Sequence, residues 1–196
     1  KPIKPEVTEK KKTHPIKTIK ILCSNKYFIL ITLAFAIIYT SLGLTGGSRI
    51  YYAKYVLGNE MINSTMTLFN YIPTILTIML IPIFAKKFGK IKALFVGFLF
   101  YGAGLILEIA GPVNLPMIYG GLVLQGIGHA ALYSCLFAIV GDVVDYSEWK
   151  DGIREEGITY SVTSFGQKIG TGLGTAALGW ILAAGHYDGT AAVQSA

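Results

Sequence analysis

The chain has 196 residues, of which 53% are hydrophobic and only 14% are charged, and its mean hydropathy is +0.54. Soluble domains carry about 25% charged residues, and the apolar residues here fall in long runs. The composition therefore excludes a soluble globular domain and predicts an all-α polytopic membrane protein. With only two cysteines, Cys23 and Cys135, the chain has neither a disulfide framework nor zinc-ligand spacing.

Five apolar runs each approach or exceed the ~20 residues that a helix needs to cross a bilayer. They are residues 27–48, 66–84, 91–110, 117–142 and 158–184. Pro73 and Pro82 fall in the second run, where they predict a kink. The transmembrane bundle is thus expected over 27–185. A lysine-rich segment, 1–26, precedes it as a linker, and a short tail, 186–196, follows it.

The distribution of positive charge predicts the orientation of these spans. Of the 17 lysines and arginines, fourteen fall on one side: eight in 1–26, four in 86–92, and Lys150 and Arg154. The positive-inside rule places that side, including the N-terminal segment, in the cytoplasm of a cell that holds the protein in its plasma or inner membrane. The net charge of +6 then reflects topology and not nucleic-acid binding. Five spans with an external tail predict a further helix beyond residue 196.

Lys168 lies near the middle of the fifth apolar run. An ammonium at that depth costs roughly 2.5–3.5 kcal/mol on insertion scales, so it rarely faces lipid and commonly marks a transport pathway. Helical spacing aligns it with other polar residues in one stripe: Tyr160, Ser164, Lys168, Thr171 and Thr175. This stripe predicts a water-filled cavity, as in a transporter.

The fourth run carries a second stripe, made of Gln125, His129 and Tyr133 at four-residue spacing. Two interpretations remain open. The amide, imidazole and phenol can line a cavity that binds a sugar ring, or they can hydrogen-bond neighbouring helices. A metal role for His129 is disfavoured because this helix has no second ligand at a useful spacing. Asn70, Thr74 and Thr77 form a weaker polar stripe in the second run.

Small residues in the fifth run predict close helix packing, since Gly166, Gly170 and Gly174 have small-xxx-small spacing. Two charged residues lie near span ends, Arg49 in the first run and Glu108 in the third. Both are expected to extend towards the outer interface.

The segment 142–157 contains six of the eleven acidic residues of the chain. Asp142 and Asp145 follow the fourth span, where the helix dipole disfavours anions, so cationic partners are expected. Arg154, Lys86 and Lys87 are candidates on the same side. One hypothesis makes Asp142, Asp145, Arg154 and Lys86 a cytoplasmic ion-pair gate. The alternative is a solvated loop that contributes little.

Residues 141–157, GDVVDYSEWKDGIREEG, and 160–168, YSVTSFGQK, resemble the glycoside–pentoside–hexuronide:cation symporter family of the major facilitator superfamily. The segment YYAKYVLG at 51–58 is also similar. The resemblance implies helices seven to eleven of twelve, in the C-terminal six-helix bundle. It also implies that Lys168 lies near the sugar and cation sites, that Thr163 and Ser164 line the sugar pocket, and that Tyr133 replaces a pocket tryptophan.

This resemblance further implies that Asp142 and Arg154 belong to a cytoplasmic charge network. The expected function is symport of glycosides with Na⁺ or H⁺, the cation being held mainly by the N-terminal half that this chain does not contain. No other cofactor and no metal site is expected. Alternatives are a transporter of lysolipids or other solutes, or a membrane sensor that does not transport. Hydrolase, nucleotide and zinc motifs are absent from the sequence, so an enzyme is not expected.

Overall fold

The computed structural model of the chain describes residues 24–151, 154 and 156–187. The predicted linker 1–26 and tail 186–196 therefore lie almost wholly outside the described residues, as does Cys23. All regular structure in the described part is helical. This confirms the all-α class expected from the composition.

Six α-helices follow one another along the described chain. They are α1 (Lys26–Tyr51), which continues as a π-helical segment (Tyr52–Val56), α2 (Ile62–Ile78), α3 (Ile81–Phe88), α4 (Lys90–Ala110), α5 (Leu115–Asp151) and α6 (Glu156–Ala184). Within the described residues, α1 with its π segment, α4 and α5 are long and apolar enough to cross a bilayer. The pair α2–α3 adds a fourth crossing if it forms one span. Helix α6 is 29 residues long but falls outside this set, and its glycines, threonines and Lys168 dilute its apolar character.

The second predicted span is broken rather than smoothly kinked. Helices α2 and α3 meet at an angle of 52° across Met79 and Leu80. Pro82 lies in the first turn of α3, where its missing N–H costs no helical hydrogen bond. Pro73 lies within α2, which continues through it.

The helix that carries the fourth predicted span continues past Asp142 to Asp151. Most of the expected loop 142–157 is therefore helical. The reason is an apolar face that extends past the charged residues: Val143, Val144 and Ser147 are buried. Ser147 also accepts a hydrogen bond from Asn25 Nδ2 at 3.0 Å, which ties the end of α5 to the start of α1.

Helix α5 is the centre of the bundle and packs against every other helix through small apolar clusters. Leu136, Val140 and Val143 meet the face of α1 that carries Phe28, Ile31, Phe35 and Tyr39. Ala131 and Cys135 pack against α3 and α4, and Ile118 and Leu122 against α2. Helix α5 therefore positions α2 and α4 directly, whereas α6 is positioned mainly by α1.

Helices α1 and α6 pack side by side through glycines, as the sequence predicted. A Cβ atom added at Gly170 would collide with the carbonyl oxygen of Ala36, and one at Gly174 with that of Thr40. A Cβ at Gly43 of α1 would likewise lie 2.6 Å from the carbonyl oxygen of Thr171. Only hydrogen side chains allow the two backbones to approach this closely.

Candidate functional site

A shallow groove of about 410 Å³ runs along α6. It is lined by Tyr160, Ser161, Ser164, Phe165 and Lys168, so it contains three residues of the predicted polar stripe. The Lys168 side chain is exposed in this groove. Thr171 and Thr175 continue the exposed face, but each hydroxyl donates to a carbonyl oxygen of its own helix. The groove therefore offers an ammonium, hydroxyls and aromatic faces to a polar solute.

Thr163 lies on a different face of α6 from this groove. It is fully buried with Thr159 and Gly166 in the stripe that packs inside the bundle. Its hydroxyl donates to the carbonyl oxygens of Thr159 and Tyr160. Of the two neighbouring residues assigned to a sugar pocket by resemblance, only Ser164 lines the groove.

Tyr133 is half-buried where α5 crosses α1. The centroid of its ring lies 6.3 Å from that of Tyr39 and 5.7 Å from that of His129. His129 also contacts the ring of Tyr101 at 5.0 Å between centroids. Four aromatic rings from α1, α4 and α5 are thus brought together around the middle of α5.

His129 is buried and holds α5 against α2. Its Nδ1 lies 3.2 Å from Asn70 Oδ1, while Asn70 Nδ2 donates to the carbonyl oxygen of Leu122 at 3.1 Å. Thr74, one turn further along α2, donates to the carbonyl oxygen of Gly126 at 3.0 Å. For His129 the structure favours the inter-helix interpretation, and the weak α2 stripe supplies its partners.

Arg49 and Glu108 do not extend to the outer interface as expected. Arg49 Nη2 donates to Gln125 Oε1 at 2.9 Å, so its guanidinium turns into the bundle. Glu108 is half-buried, and its Oε1 is shielded from solvent. Both residues line the same cavity between helices. Their charged groups therefore have polar surroundings inside the bundle and need not extend to the membrane interface. The sequence signal was a pair of opposite charges, one near the end of each of two apolar spans.

This cavity has a volume of about 720 Å³ and lies among α1, α4, α5 and α6. Arg49, Glu108 and Gln125 line one side of the cavity with polar groups. Tyrosines, including Tyr52 and Tyr187, line other parts of it. Tyr52 donates a hydrogen bond to the carbonyl oxygen of Pro112, which holds the loop after α4 against the cavity. Gln125, one of the predicted site residues, is 1% exposed.

At the opposite end of the bundle, Asp142 pairs with Lys90 and not with Arg154, Lys86 or Lys87. Lys90 Nζ lies 2.6 Å from Asp142 Oδ1 and donates to the carbonyl oxygen of Ala138 at 3.1 Å. The pair joins the first residue of α4 to α5. Lys86 lies exposed in the last turn of α3. The sequence did not single out Lys90 among the four lysines of 86–92.

Arg154 lies between α5 and α6 and forms ion pairs with three carboxylates. It lies 3.1 Å from Asp145, 2.5 Å from Glu148 and 2.6 Å from Glu156. Hydrogen bonds to Glu148 and Glu156 raise the pKa of the guanidinium above its usual value. Asp145 and Arg154, both predicted members of a charge cluster, are therefore in contact. Because these side chains are about half exposed, the pairs contribute little to stability.

The long apolar helices, the buried polar contacts between them and the polar groove on α6 define a multi-pass helical membrane protein. The sequence profile of the family described as MFS/sugar transport protein matches residues 2–196, which is nearly the whole chain. The chain belongs to this family.

Curated relatives agree with the family. The isoprimeverose transporter of Lactiplantibacillus pentosus is 30% identical over 93% of this chain and 38% of its own length. The glucuronide carrier protein homolog of Escherichia coli is 26% identical over 87% of this chain and 38% of its own length. The raffinose carrier protein of Pediococcus pentosaceus is 26% identical over 83% of this chain and 25% of its own length. These relatives are transporters and carriers, not enzymes.

The chain spans 38% of the length of the first two relatives and 25% of the length of the third. No solved structure matches it.

Proposed function

We propose that the chain is the C-terminal part of a sugar transporter that couples uptake of a glycoside to a cation, Na⁺ or H⁺, by alternating access. The main support for this proposal is Lys168, which is exposed in the groove of α6. An ammonium on a membrane helix is energetically costly, so it usually marks a transport pathway. The names of the relatives support sugars as the substrate class.

In this proposal the sugar lies between the two halves of the full-length protein. Lys168 and Ser164 form one wall of its site, and Tyr133 supplies an aromatic face on which a sugar ring can stack. Gln125 and His129 act behind that wall, since both are buried among helices. Thr163 acts by packing α6 in the bundle.

The cytoplasmic end of this half is the proposed inner latch. Lys90–Asp142 joins α4 to α5, and Arg154 joins the end of α5 to the start of α6. Half-exposed ion pairs of this kind break and reform at little cost, which suits a gate that opens in every cycle. The fourteen positive charges on this side support its cytoplasmic placement in the cell membrane.

Counterflow into liposomes that contain the full-length protein tests this function. The sugars are radiolabelled isoprimeverose, raffinose and a glucuronide, each with and without a sodium or proton gradient. We expect exchange of at least one sugar and its accumulation with one of the two gradients. Folded protein that exchanges none of them and instead moves lysolipid would contradict the proposal.

The variant Lys168→Ala tests whether Lys168 is required for transport. We expect coupled uptake to be lost while the protein still inserts and purifies normally, because an exposed side chain contributes little to folding. Lys92→Ala, an exposed lysine at the start of α4, is the matched control. Wild-type coupled uptake by Lys168→Ala would remove Lys168 from the mechanism.

A further inference from the structure

Helix α3 bends away from the helix that precedes it and exposes most of its surface. It meets α2 at an angle of 52°. It ends at Phe88, and the next residue is Gly89, whose φ of 92° is accessible mainly to glycine. Eight residues of helix extend only about 12 Å, far less than the ~30 Å of hydrocarbon in a bilayer. Such a short, bent helix suits the boundary between hydrocarbon and headgroups.

One face of α3 attaches it to the rest of the bundle. Ile81 is buried in the apolar cluster that also contains Ala93 of α4 and Ala131 and Cys135 of α5. Ala85, one turn after Ile81, packs against the same cluster. The helix is therefore held in place, and the exposed side chains belong to its other faces.

The exposed surface of α3 is largely apolar and aromatic. Ile83, Phe84 and Phe88 are exposed, as is Ile91 at the start of α4. The rings of Phe84 and Phe88 lie 4.6 Å apart between centroids, so they form one aromatic surface. In the described part of the chain this surface is open, and acyl chains of lipid can cover it.

Two lysines add positive charge to the same helix. Lys86 and Lys87 are exposed in its last turn, and none of the ion pairs among the described residues includes either of them. Part of the reason lies in the sequence, since no Asp or Glu occurs between Glu60 and Glu108. Lys87 Nζ lies 5.3 Å from the centroid of the Phe88 ring, which places an ammonium beside the apolar surface.

Lys90 shows what happens to a lysine here when an acid is within reach. Its ammonium lies 2.6 Å from Asp142 and donates to the carbonyl oxygen of Ala138. Lys86 and Lys87 have no carboxylate partner in the described residues, so their charges are available to another anion. A lysine can rest its aliphatic stem on apolar surface while its ammonium extends to the polar phase.

We propose that α3 is an interfacial helix that binds an anionic phospholipid. Ile83, Phe84 and Phe88 lie among the acyl chains, and Lys86 and Lys87 contact the headgroup phosphate. Apolar surface beside lysines matches the hydrocarbon and anionic parts of one lipid, whereas a soluble anion would match only the lysines. These lysines are also on the side proposed as cytoplasmic, and anionic lipids give the cytoplasmic leaflet its negative surface potential. Lipid binding at α3 is independent of the proposed sugar transport.

Quenching of a tryptophan by brominated lipids tests the proposal in the full-length protein. Phe88→Trp places the reporter on α3, and its signal is the difference from the same protein with Phe88. The protein is reconstituted in mixtures of phosphatidylcholine and phosphatidylglycerol in which one lipid or the other carries brominated acyl chains. The measured quantity is the binding constant of phosphatidylglycerol relative to that of phosphatidylcholine at the reporter.

Three double variants are made in this reporter background. Lys86→Gln/Lys87→Gln removes the two charges of α3, and Lys86→Arg/Lys87→Arg keeps them. Lys26→Gln/Lys150→Gln is the matched control, because it removes two exposed lysines, each beside a tyrosine ring, at the same end of the bundle. The control and the first variant change the net charge of the protein by the same amount.

We expect phosphatidylglycerol to bind at the reporter at least about tenfold more strongly than phosphatidylcholine, because each lysine near an anionic surface contributes roughly a fivefold gain. In Lys86→Gln/Lys87→Gln this ratio should fall to about one. Quenching by brominated phosphatidylcholine should persist there, which would show that α3 still contacts lipid. The arginine variant and the control should keep the ratio of the reporter protein.

Five outcomes overturn the proposal. They are equal binding of the two lipids in the reporter protein, an undiminished ratio in Lys86→Gln/Lys87→Gln, loss of the ratio in the arginine variant, an equal loss in the control, and no quenching by either lipid. An equal loss in the control would assign the preference to the overall charge at this end of the bundle. Absence of quenching would show that another part of the full-length protein covers α3.

Discussion

Two regions of this bundle achieve close helix packing by different means. Helices α1 and α6 approach through glycines, so that backbone meets backbone at Gly43, Gly170 and Gly174. Helices α2 and α5 instead exchange hydrogen bonds, with Asn70 and Thr74 donating to carbonyl oxygens of α5. The first region depends on shape, whereas the second adds hydrogen bonds to a close approach at Gly126, where a Cβ would collide with the carbonyl oxygen of Asn70. Substitutions in the two regions should therefore lower the stability of the protein for different physical reasons.

The largest expected effect is in the glycine region. Gly170→Leu places a branched side chain against the carbonyl oxygen of Ala36, so α1 and α6 must separate. We expect the full-length protein to lose about 3 kcal/mol of stability, the upper part of the range for overpacking. Thermal unfolding in detergent measures this loss.

Gly172→Leu is the matched control for that variant. Gly172 is exposed and has open space around it, so leucine there should be tolerated. Equal melting temperatures for the two variants would show that the glycine contacts do not hold α1 against α6.

The polar region should respond to loss of hydrogen bonding at nearly constant volume. Asn70→Leu leaves His129 Nδ1 without its partner and removes the second hydrogen bond to the carbonyl oxygen of Leu122. We expect a loss of about 1–2 kcal/mol, measured by the same thermal unfolding. Asn63→Leu, seven residues earlier on α2, is the control. A smaller loss for Asn70→Leu than for Asn63→Leu would contradict polar satisfaction as the source of stability.

The Lys90–Asp142 pair should matter more for transport than for stability. The two side chains are 39% and 56% exposed, so Asp142→Asn is expected to cost no more than about 1 kcal/mol. If the pair is part of the inner latch, the variant should alter the rate of counterflow. The exchanged variant Lys90→Asp/Asp142→Lys should restore that rate. Failure of the exchanged pair to restore it would assign the effect to Asp142 alone.

The smallest expected effect on stability is at Arg154. Its side chain is half exposed, and exposed ion pairs commonly contribute nothing measurable, so Arg154→Gln should leave the melting temperature unchanged. Because neighbouring carboxylates raise the pKa of this guanidinium, it stays charged throughout the usable pH range. Any effect of Arg154→Gln on counterflow therefore reports the removal of this charge and not its titration. Lys150→Gln, an exposed neighbour, should behave as wild type at every pH.

Hydrophobic patterning located all the long helices, since each predicted span overlaps an observed helix. The third span was the most accurate, at 91–110 against Lys90–Ala110. The end of α5 was missed because hydropathy reports the apolar stretch, whereas a helix continues as long as one face can be buried. Val143, Val144 and Ser147 provide that face beside the charged residues.

The candidate site was less predictable than the fold. Spacing along one helix correctly grouped Ser164 with Lys168, because both belong to α6. It could not say that Asp142 pairs with Lys90, 52 residues earlier, since several lysines were equally close in sequence. The contact of Arg49 with Gln125 was inaccessible for the same reason. Contacts between helices depend on helix rotation, which a single sequence with strong apolar character on all sides hardly constrains.

Helix α5 is one uninterrupted rod of 37 residues. At 1.5 Å per residue it is about 55 Å long, well beyond the ~30 Å of hydrocarbon in a bilayer. Gln125 at the cavity and Asp142 at the ion pair lie on this same rod, about 25 Å apart along its axis. A tilt of only about 5° would move one tip of the rod by about 5 Å relative to the other. Any tilt of α5 therefore displaces the cavity wall at Gln125 and the ion pair at Asp142 together.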